Sequence, residues 1–570
     1  MYYKIIEESK EILKKGLKKL KLEIPEEIKL EFPPNSDMGD LASTISFELA
    51  KKLKKSPVEI SQIIVRKLDY SEYFKKIEAK GPYINFFIDY DKLSKDFLAE
   101  IDENYGSLKS KDFKVILEHT SANPNGPLHI GHIRNGIIGD CLSRLLKTAG
   151  NDVVTQYYVN DMGRQIAMII FGVKELNLKI DEENSLKTDH QIGDLYFQVN
   201  QELNKNPAIK NKVDMLIKEY ESGKDLSLNN LFEKYVNYCL KGVKETLLKL
   251  NIYHDEFVWE GQFVRNGEVG NVINFLIDSG HTKENEALYL DLEDFGIDKE
   301  LVLKRSDGTS LYSTRDLAYH IKKFKLGNLV IDILGSDHKL VSKQLGIALE
   351  ILGEKVPEVI FYEFITLPEG SMSTRRGVFI SSDDLIDEAI KRSYKELKQR
   401  RPELNSKNID KISQIIGIGA IRYYIAKLSP EKHITFKWDD ALNFEKGCVS
   451  IQYAHARACK LLNKSNRYNN GNLNVSIDEI NNWNLDKSEI ELIRLLAKFP
   501  LVIEESVKVL RVHLIAHYAQ DLATAFNKFY KSKKVIGDEN ELARLLLVDK
   551  TKITIKNALN ILGVESPEFM

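Results

Sequence analysis

Two histidines straddle a glycine in the stretch FKVILEHTSANPNGPLHIGHIRNGIIGD, which begins at residue 113. A strand-like apolar run ends there and a helical run begins, so the chain turns at His129, Gly131 and His132. Such a turn presents unpaired amides and the positive end of a helix, a ready place for phosphate. Gly131 has no Cβ and lets a flat base or sugar lie against the backbone. His129 and His132 can donate to phosphate oxygens as charge builds in a transition state. A polar surface turn with an ordinary histidine pair is the competing reading, and the HxGH spacing alone leaves both open. In LYSTRDLAY, Tyr312 and Asp316 stand four apart and share one helix face. A carboxylate beside a phenol suits a guanidinium, whose planar fork of donors prefers such acceptors. The alternative is a local contact with Asp316 paired to a lysine or to Arg315. In ILGSDHKLVSKQ (333–344) a strand ends at Gly335, and Asp337 and His338 follow on the same edge, with Asp337 as a helix N-cap the alternative. His513 and His517 are four apart but lack a third ligand, which reads as a helical core position.

The elements that must position these residues follow from periodicity. FKVIL is a short apolar run of the kind found in buried parallel strands. Ile133, Ile137, Ile138, Cys141, Leu142, Leu145 and Leu146 recur at helical spacing, and Gly150 supplies a stop. DVVTQYYV (152–159) is the next strand, so the segment is a right-handed βαβ unit. Its ligand edge lies at the carboxyl ends of the strands, where the 119–132 turn and Asn160–Asp161 fall. Residues about 172–285 carry a charged helical pattern and read as an insertion. Strand patterns return at 287–292, 301–305, 329–335 and 358–365, and from about 395 the pattern is helical to the end. Before the βαβ unit, a helical stripe in residues 1–22, two helical runs separated at Pro57 and a strand at 83–90 make a small α+β domain ending near Gly106. Asp40 or its neighbours are expected to cap the first of those runs.

The totals bound the remaining choices. A chain of 570 residues allows about three to five domains at roughly 100–200 residues each. A formal net charge of −2 gives no global basic field, so contact with RNA would rest on local patches. Cys141, Cys239, Cys448 and Cys459 form no CxxC pair, so no zinc site is expected. The opening MYYKIIEESKEILKKGLKKLKL lacks a signal peptide's apolar core, and no window offers the roughly 18 apolar residues of a membrane span. A reduced, cytoplasmic location is expected.

HIGH at the first βα turn resembles the signature of class I aminoacyl-tRNA synthetases, and the flanks SANPNGPLHIGHIRNGIIGD resemble the arginyl-tRNA synthetases. YYVNDMGRQ, RSDGTSLYSTRDLAY, GSMSTRRG, IQYAHARA and AQDLATAFNKFY resemble later blocks of that family. FPPNSDMGDLASTISFELA and AKGPYINFFID resemble its N-terminal appended domain, so the likeness spans nearly the whole chain. The resemblance implies a multidomain α/β protein: an N-terminal α+β tRNA-binding domain (1–107), a Rossmann-type parallel-sheet catalytic domain (108–394) with a helical insertion, and a C-terminal all-α anticodon-binding bundle (395–570).

It implies further that L-arginine and ATP, with Mg²⁺, give arginyl-adenylate and pyrophosphate, and that arginine then passes to the 3′ end of tRNA-Arg. Activation with tRNA already bound, a monomer, and no separate editing site are also implied. Arginine would meet Glu118, Ser121, Asn123, Tyr312 and Asp316. ATP would meet His129, Gly131, His132, Gly335, Asp337, His338, Met372 and Ser373. Tyr453, Phe526 and Tyr530 would face the anticodon, or else be packed core. GSMSTRRG departs from the class pattern KMSKS, for both lysines are absent. Some arginyl enzymes place a compensating lysine just before HIGH, but here Asn125 and Gly126 stand there. Arg375 and Arg376 are the expected cationic substitutes, with His129 and His132 as the other catalytic residues. A class I synthetase for another amino acid, such as cysteine or lysine, and a non-catalytic RNA-binding relative are the alternatives.

Overall fold

A computed structural model describes residues 1–33, 36–69, 71–180, 186–366, 381–469, 471–480 and 483–570. The expected roles of Met372, Ser373, Arg375 and Arg376 therefore lie outside the described residues. Five parallel strands form the central sheet, in the spatial order 358–362, 329–335, 114–118, 152–159 and 256–259. Val115, Ile116 and Leu117 are buried, as a strand covered on both faces requires. The helix Ile130–Thr148 crosses between the first two strands in sequence and buries the apolar residues that its spacing marks out. It ends at Gly150, whose φ of +84° suits glycine and where a Cβ would lie 2.2 Å from the Lys109 carbonyl oxygen. Strand 114–118 has the next strand in sequence on one side and strand 329–335 on the other. Such a reversal opens a crevice at the carboxyl ends, here at Glu118 and Gly335.

Several elements differ from the periodicity reading. Strand Glu256–Trp259 lies inside the stretch read as helical insertion and pairs in parallel with 156–159 at the sheet edge. It is four residues long and buries only Val258, too short to show a pattern. The insertion's helices are Thr188–Lys205, Ile209–Ser222 and Leu226–Lys249. Segments 282–284, 288–290 and 301–304 form a separate antiparallel sheet. The 358–365 run splits into Glu358–Tyr362 on the main sheet and Ile365–Thr366, which pairs with Ile434–Thr435. That pairing and the hairpin of Tyr468–Asn469 with Asn472–Leu473 interrupt the tail read as helical throughout. Its long helices include Ser406–Ala426, Cys448–Leu462, Lys487–Lys508, His513–Ser532 and Glu541–Ile561. No helix among the described residues is long and apolar enough to cross a membrane.

The N-terminal domain is a four-stranded antiparallel sheet with helices Tyr2–Lys19, Ile45–Leu53, Pro57–Val65 and Tyr90–Ala99. Asp40 does not cap its first predicted run, since Thr44 holds the N-cap position without a side-chain bond. The Asp40 carboxylate is buried instead. It accepts from the Ile88 amide and the Tyr90 hydroxyl, both at 2.9 Å, and pairs with Arg494 of the tail at 2.6 Å. A buried carboxylate needs this many donors, and a cap would supply fewer.

Candidate active site

His129 and His132 close the N-terminus of the Ile130–Thr148 helix on each other. His129 Nδ1 accepts from the Gly131 amide at 3.0 Å and the His132 amide at 3.4 Å, while His132 Nδ1 accepts from the His129 amide at 3.3 Å. The rings stack with centroids 3.6 Å apart. Three helix-end amides expected to await a phosphate are thus engaged by the histidines themselves. Because both Nδ1 atoms accept, each neutral ring carries its proton on Nε2 as a donor. Burial keeps the rings neutral: it lowers the His129 pKa, and with His129 alongside it lowers that of His132 to about 3. Gly131 packs under the His129 ring, for a Cβ there would lie 2.9 Å from His129 Cε1. The turn faces a cavity of about 890 Å³, lined also by Asn123, Gln165, His190 and Phe197. Gly126, where a compensating lysine was sought, abuts the insertion: a Cβ there would be 3.2 Å from Gly193 Cα.

Glu118 ends its strand on the same edge and starts a chain of buried charges. Its Oε1 accepts from the Ser121 hydroxyl at 2.9 Å, and its Oε2 pairs with the Lys323 ammonium. Ser121 Oγ in turn accepts from the Tyr158 amide at 3.0 Å, so the hydroxyl of this expected arginine contact also holds Glu118. Thr120 and Ser121 lie in the left-handed region with φ of +71° and +39°, a strain that accumulates at functional turns. Lys323, wholly buried, also donates to Asp332 Oδ1 at 2.7 Å. His320 Nε2 meets Asp332 Oδ2 at 2.7 Å, and His320 Nδ1 meets the Asp316 carboxylate at 3.1 Å. Burial and Lys323 act to lower the His320 pKa, but Asp316 and Asp332 outweigh them and hold it at about 10. Burial likewise pushes Glu118 up, whereas Lys323 and His320 overcome burial and hold Asp332 down. Tyr312 begins the same helix and is exposed.

Next to Asp316, Arg315 Nε lies 2.8 Å from Glu260 Oε1. Burial raises the Glu260 pKa to about 7 against the pull of Arg315. The Tyr158 hydroxyl and Glu260 Oε2 are buried and have no hydrogen-bond partner among the described residues. Periodicity did not single out Tyr158, Glu260, His320, Lys323 or Asp332. The i, i+4, i+7 spacing of Asp316, His320 and Lys323 is the sequence signal that could have placed His320 and Lys323 on the face of Asp316.

The remaining candidates divide. Gly335 ends strand 329–335, and a Cβ there would lie 2.4 Å from Asp337 Oδ1. Asp337 and His338 are exposed, 3.6 Å apart, and neither makes a side-chain cap on the following helix. Phe526 is wholly buried against Phe529 in the helical core, so it is not an RNA contact. Tyr453 and Tyr530 are both exposed and sandwich the Arg457 guanidinium at 4.6 and 4.5 Å, a residue that the sequence pattern had not marked. One group among the described residues has metal-ligand spacing: Asp189, His190 and Asp383. Lys187, 3.2 Å from Asp189 and paired with Asp383, already supplies the positive charge there.

Residues 381–382 and 363–364 both meet the turn or its helix. Ser382 N donates to the Leu128 carbonyl at 2.7 Å, and Ser381 bridges His129. Arg134, buried on the same helix, donates to the carbonyls of Glu363, Phe364, Pro430 and Lys432.

Comparison with known proteins agrees with this geometry. Residues 96–438 match the family described as tRNA synthetases class I (R), catalytic domain. Residues 451–570 match the DALR anticodon binding domain, and 7–88 the arginyl tRNA synthetase N terminal domain. The chain is 58% identical over 570 residues to an arginine–tRNA ligase of Methanothermobacter thermautotrophicus, with all of both chains covered. It is 48% identical to that of Methanocaldococcus jannaschii, with 99% of each chain covered. Its fold is similar to the arginyl-tRNA synthetase of Thermus thermophilus, with a TM-score of 0.83 and 25% identity over 99% of this chain and 100% of that one.

Proposed function

The chain belongs to the arginyl-tRNA synthetases, and from that premise we propose how its residues divide the work of an arginine–tRNA ligase. Arginine's guanidinium sits against Glu118 and Asp316 beneath Tyr312, and the unpartnered Tyr158 hydroxyl and Glu260 Oε2 complete the pocket. Asn123, exposed in the cavity of the turn, faces the other end of the amino acid. The carboxylate of arginine is the nucleophile and is already ionised, so activation needs no protein base. It attacks the α-phosphorus of ATP, and pyrophosphate leaves.

His129 and His132 donate from Nε2 to the phosphate oxygens as negative charge gathers. Gly335, Asp337 and His338 receive the nucleoside at the neighbouring strand end. Mg²⁺ enters on the phosphates of ATP as part of the substrate. Arg375 and Arg376 supply the cationic charge that the missing lysines would carry. In the second step the 3′ hydroxyl of tRNA-Arg attacks the activated carbonyl, and AMP leaves. The tRNA is bound before arginine is activated, with Tyr453, Arg457 and Tyr530 as a stacking platform in the tail. The enzyme works as a monomer in the cytoplasm.

The observation that carries this reading is the meeting at one sheet edge of a neutral histidine pair and a buried, net-negative cluster shaped for a guanidinium. Incubation of the purified protein with total tRNA, ATP, Mg²⁺ and each amino acid in turn tests it. Arginine alone should be charged; charging of lysine or cysteine in its place, or of nothing, would overturn the assignment.

A further inference from the structure

The pocket carboxylates do not stand alone. His320 Nδ1 lies 2.8 Å from the Asp316 carbonyl oxygen and 3.1 Å from Asp316 Oδ1, and its Nε2 lies 2.7 Å from Asp332 Oδ2. Every one of these atoms is an acceptor, so both ring nitrogens must donate and the ring is an imidazolium. Lys323 stands 3.5 Å from His320 Nε2, shares Asp332 with it, and reaches Glu118 on the far side. Helix Tyr312–Leu326 thus sends two buried cations, one turn apart, to two different carboxylates of the pocket. Asp332 locks both cations from the central strand. Formal charges on Glu118, Asp316, Asp332, His320 and Lys323 add to −1, which one guanidinium neutralises.

We propose that His320, clamped by Asp332, is a positioning residue for arginine: it fixes the direction and ionisation of Asp316, and with Lys323 on Glu118 it sets the pocket to accept a single planar cation. This rests on the placement of arginine at Glu118 and Asp316. His320 touches no substrate, and its influence passes through Asp316. The exposed edge of the Asp316 carboxylate is the part left for arginine, since His320 holds the other. Removal of His320 would free Asp316 to rotate and leave Asp332 with one cation instead of two.

Aminoacylation kinetics of His320→Ala, Asp316→Asn and the double variant, with KM measured separately for arginine and ATP, test the proposal. His320→Ala should raise the arginine KM by about 10- to 50-fold and leave the ATP KM within about twofold. Asp316→Asn should raise it by about 100-fold or more, and adding His320→Ala to it should change little, because the histidine then has nothing to position. Effects that multiply in the double variant, an ATP KM that rises in parallel, or an unchanged arginine KM in His320→Ala would overturn the role of His320. An unchanged arginine KM in Asp316→Asn would overturn the pocket itself, a distinct failure. Should His320→Ala not fold, Asp332→Asn preserves volume and should raise the arginine KM about tenfold by releasing the clamp. No change in that variant would also refute the clamp.

Discussion

His129 and His132 are held by the backbone they cap, so the orientation of both rings and of their Nε2 donors is fixed in advance. His132→Ala removes one such donor and should lower kcat by about 100-fold or more, with little change in the arginine KM, in steady-state aminoacylation. Gly131→Ala places a methyl 2.9 Å from the His129 ring, and activity should fall more than thermal stability. The residues proposed to face the substrates could be picked out at this scale because their types and spacing are local: the HxGH turn and the Tyr312–Asp316 face are both read within one turn of helix. Lys323 was not legible. It is one of four basic residues in HIKKFK, and only the approach of Glu118 and Asp332 from two strands sets it apart from Lys325, which is exposed. Phe526 failed for the converse reason, since an aromatic at helical spacing can be core or contact and here is core.

The sheet strands were legible as elements wherever burial on both faces made an unbroken apolar run, as at 114–118, 152–159 and 329–335. The edge strand 256–259 carries no such run and was hidden among charged helices. Between that strand and the turn helix, His254 Nε2 lies 3.1 Å from His119 Nδ1, and the His119 ring fills the space that a Cβ on Gly139 would enter at 2.2 Å. Burial pushes His119 well below the ordinary histidine value and His254 down to about 4. In the unfolded chain both titrate near 6.5. The folded pair thus binds fewer protons below that pH, and the stability that it contributes is full above about 6.5 and declines as pH falls toward 4. Denaturant unfolding at pH 7.5 and pH 5.0 should show the loss, and His254→Asn should shrink the difference between the two.

Across the whole molecule, single arginines paired with buried aspartates tie the domains together. Arg422 of helix Ser406–Ala426 is fully buried; it pairs with Asp140 on the turn helix and donates to the carbonyls of Leu250 and Leu562. Arg494 joins the tail to Asp40 of the N-terminal domain in the same manner. Truncating one member of such a pair leaves a buried charge and carbonyls without donors, so Arg422→Met should destabilise the protein by about 3–5 kcal/mol in denaturant unfolding. These links join residues far apart in sequence, and no periodicity foretells them. They also place the helical tail, the turn and the central sheet in one connected body. The most direct test of the account is ATP–pyrophosphate exchange with the full chain, run with arginine or lysine and with or without tRNA. Exchange that requires arginine and tRNA together is the predicted result; exchange that proceeds equally with lysine, or none with arginine and tRNA both present, would contradict it.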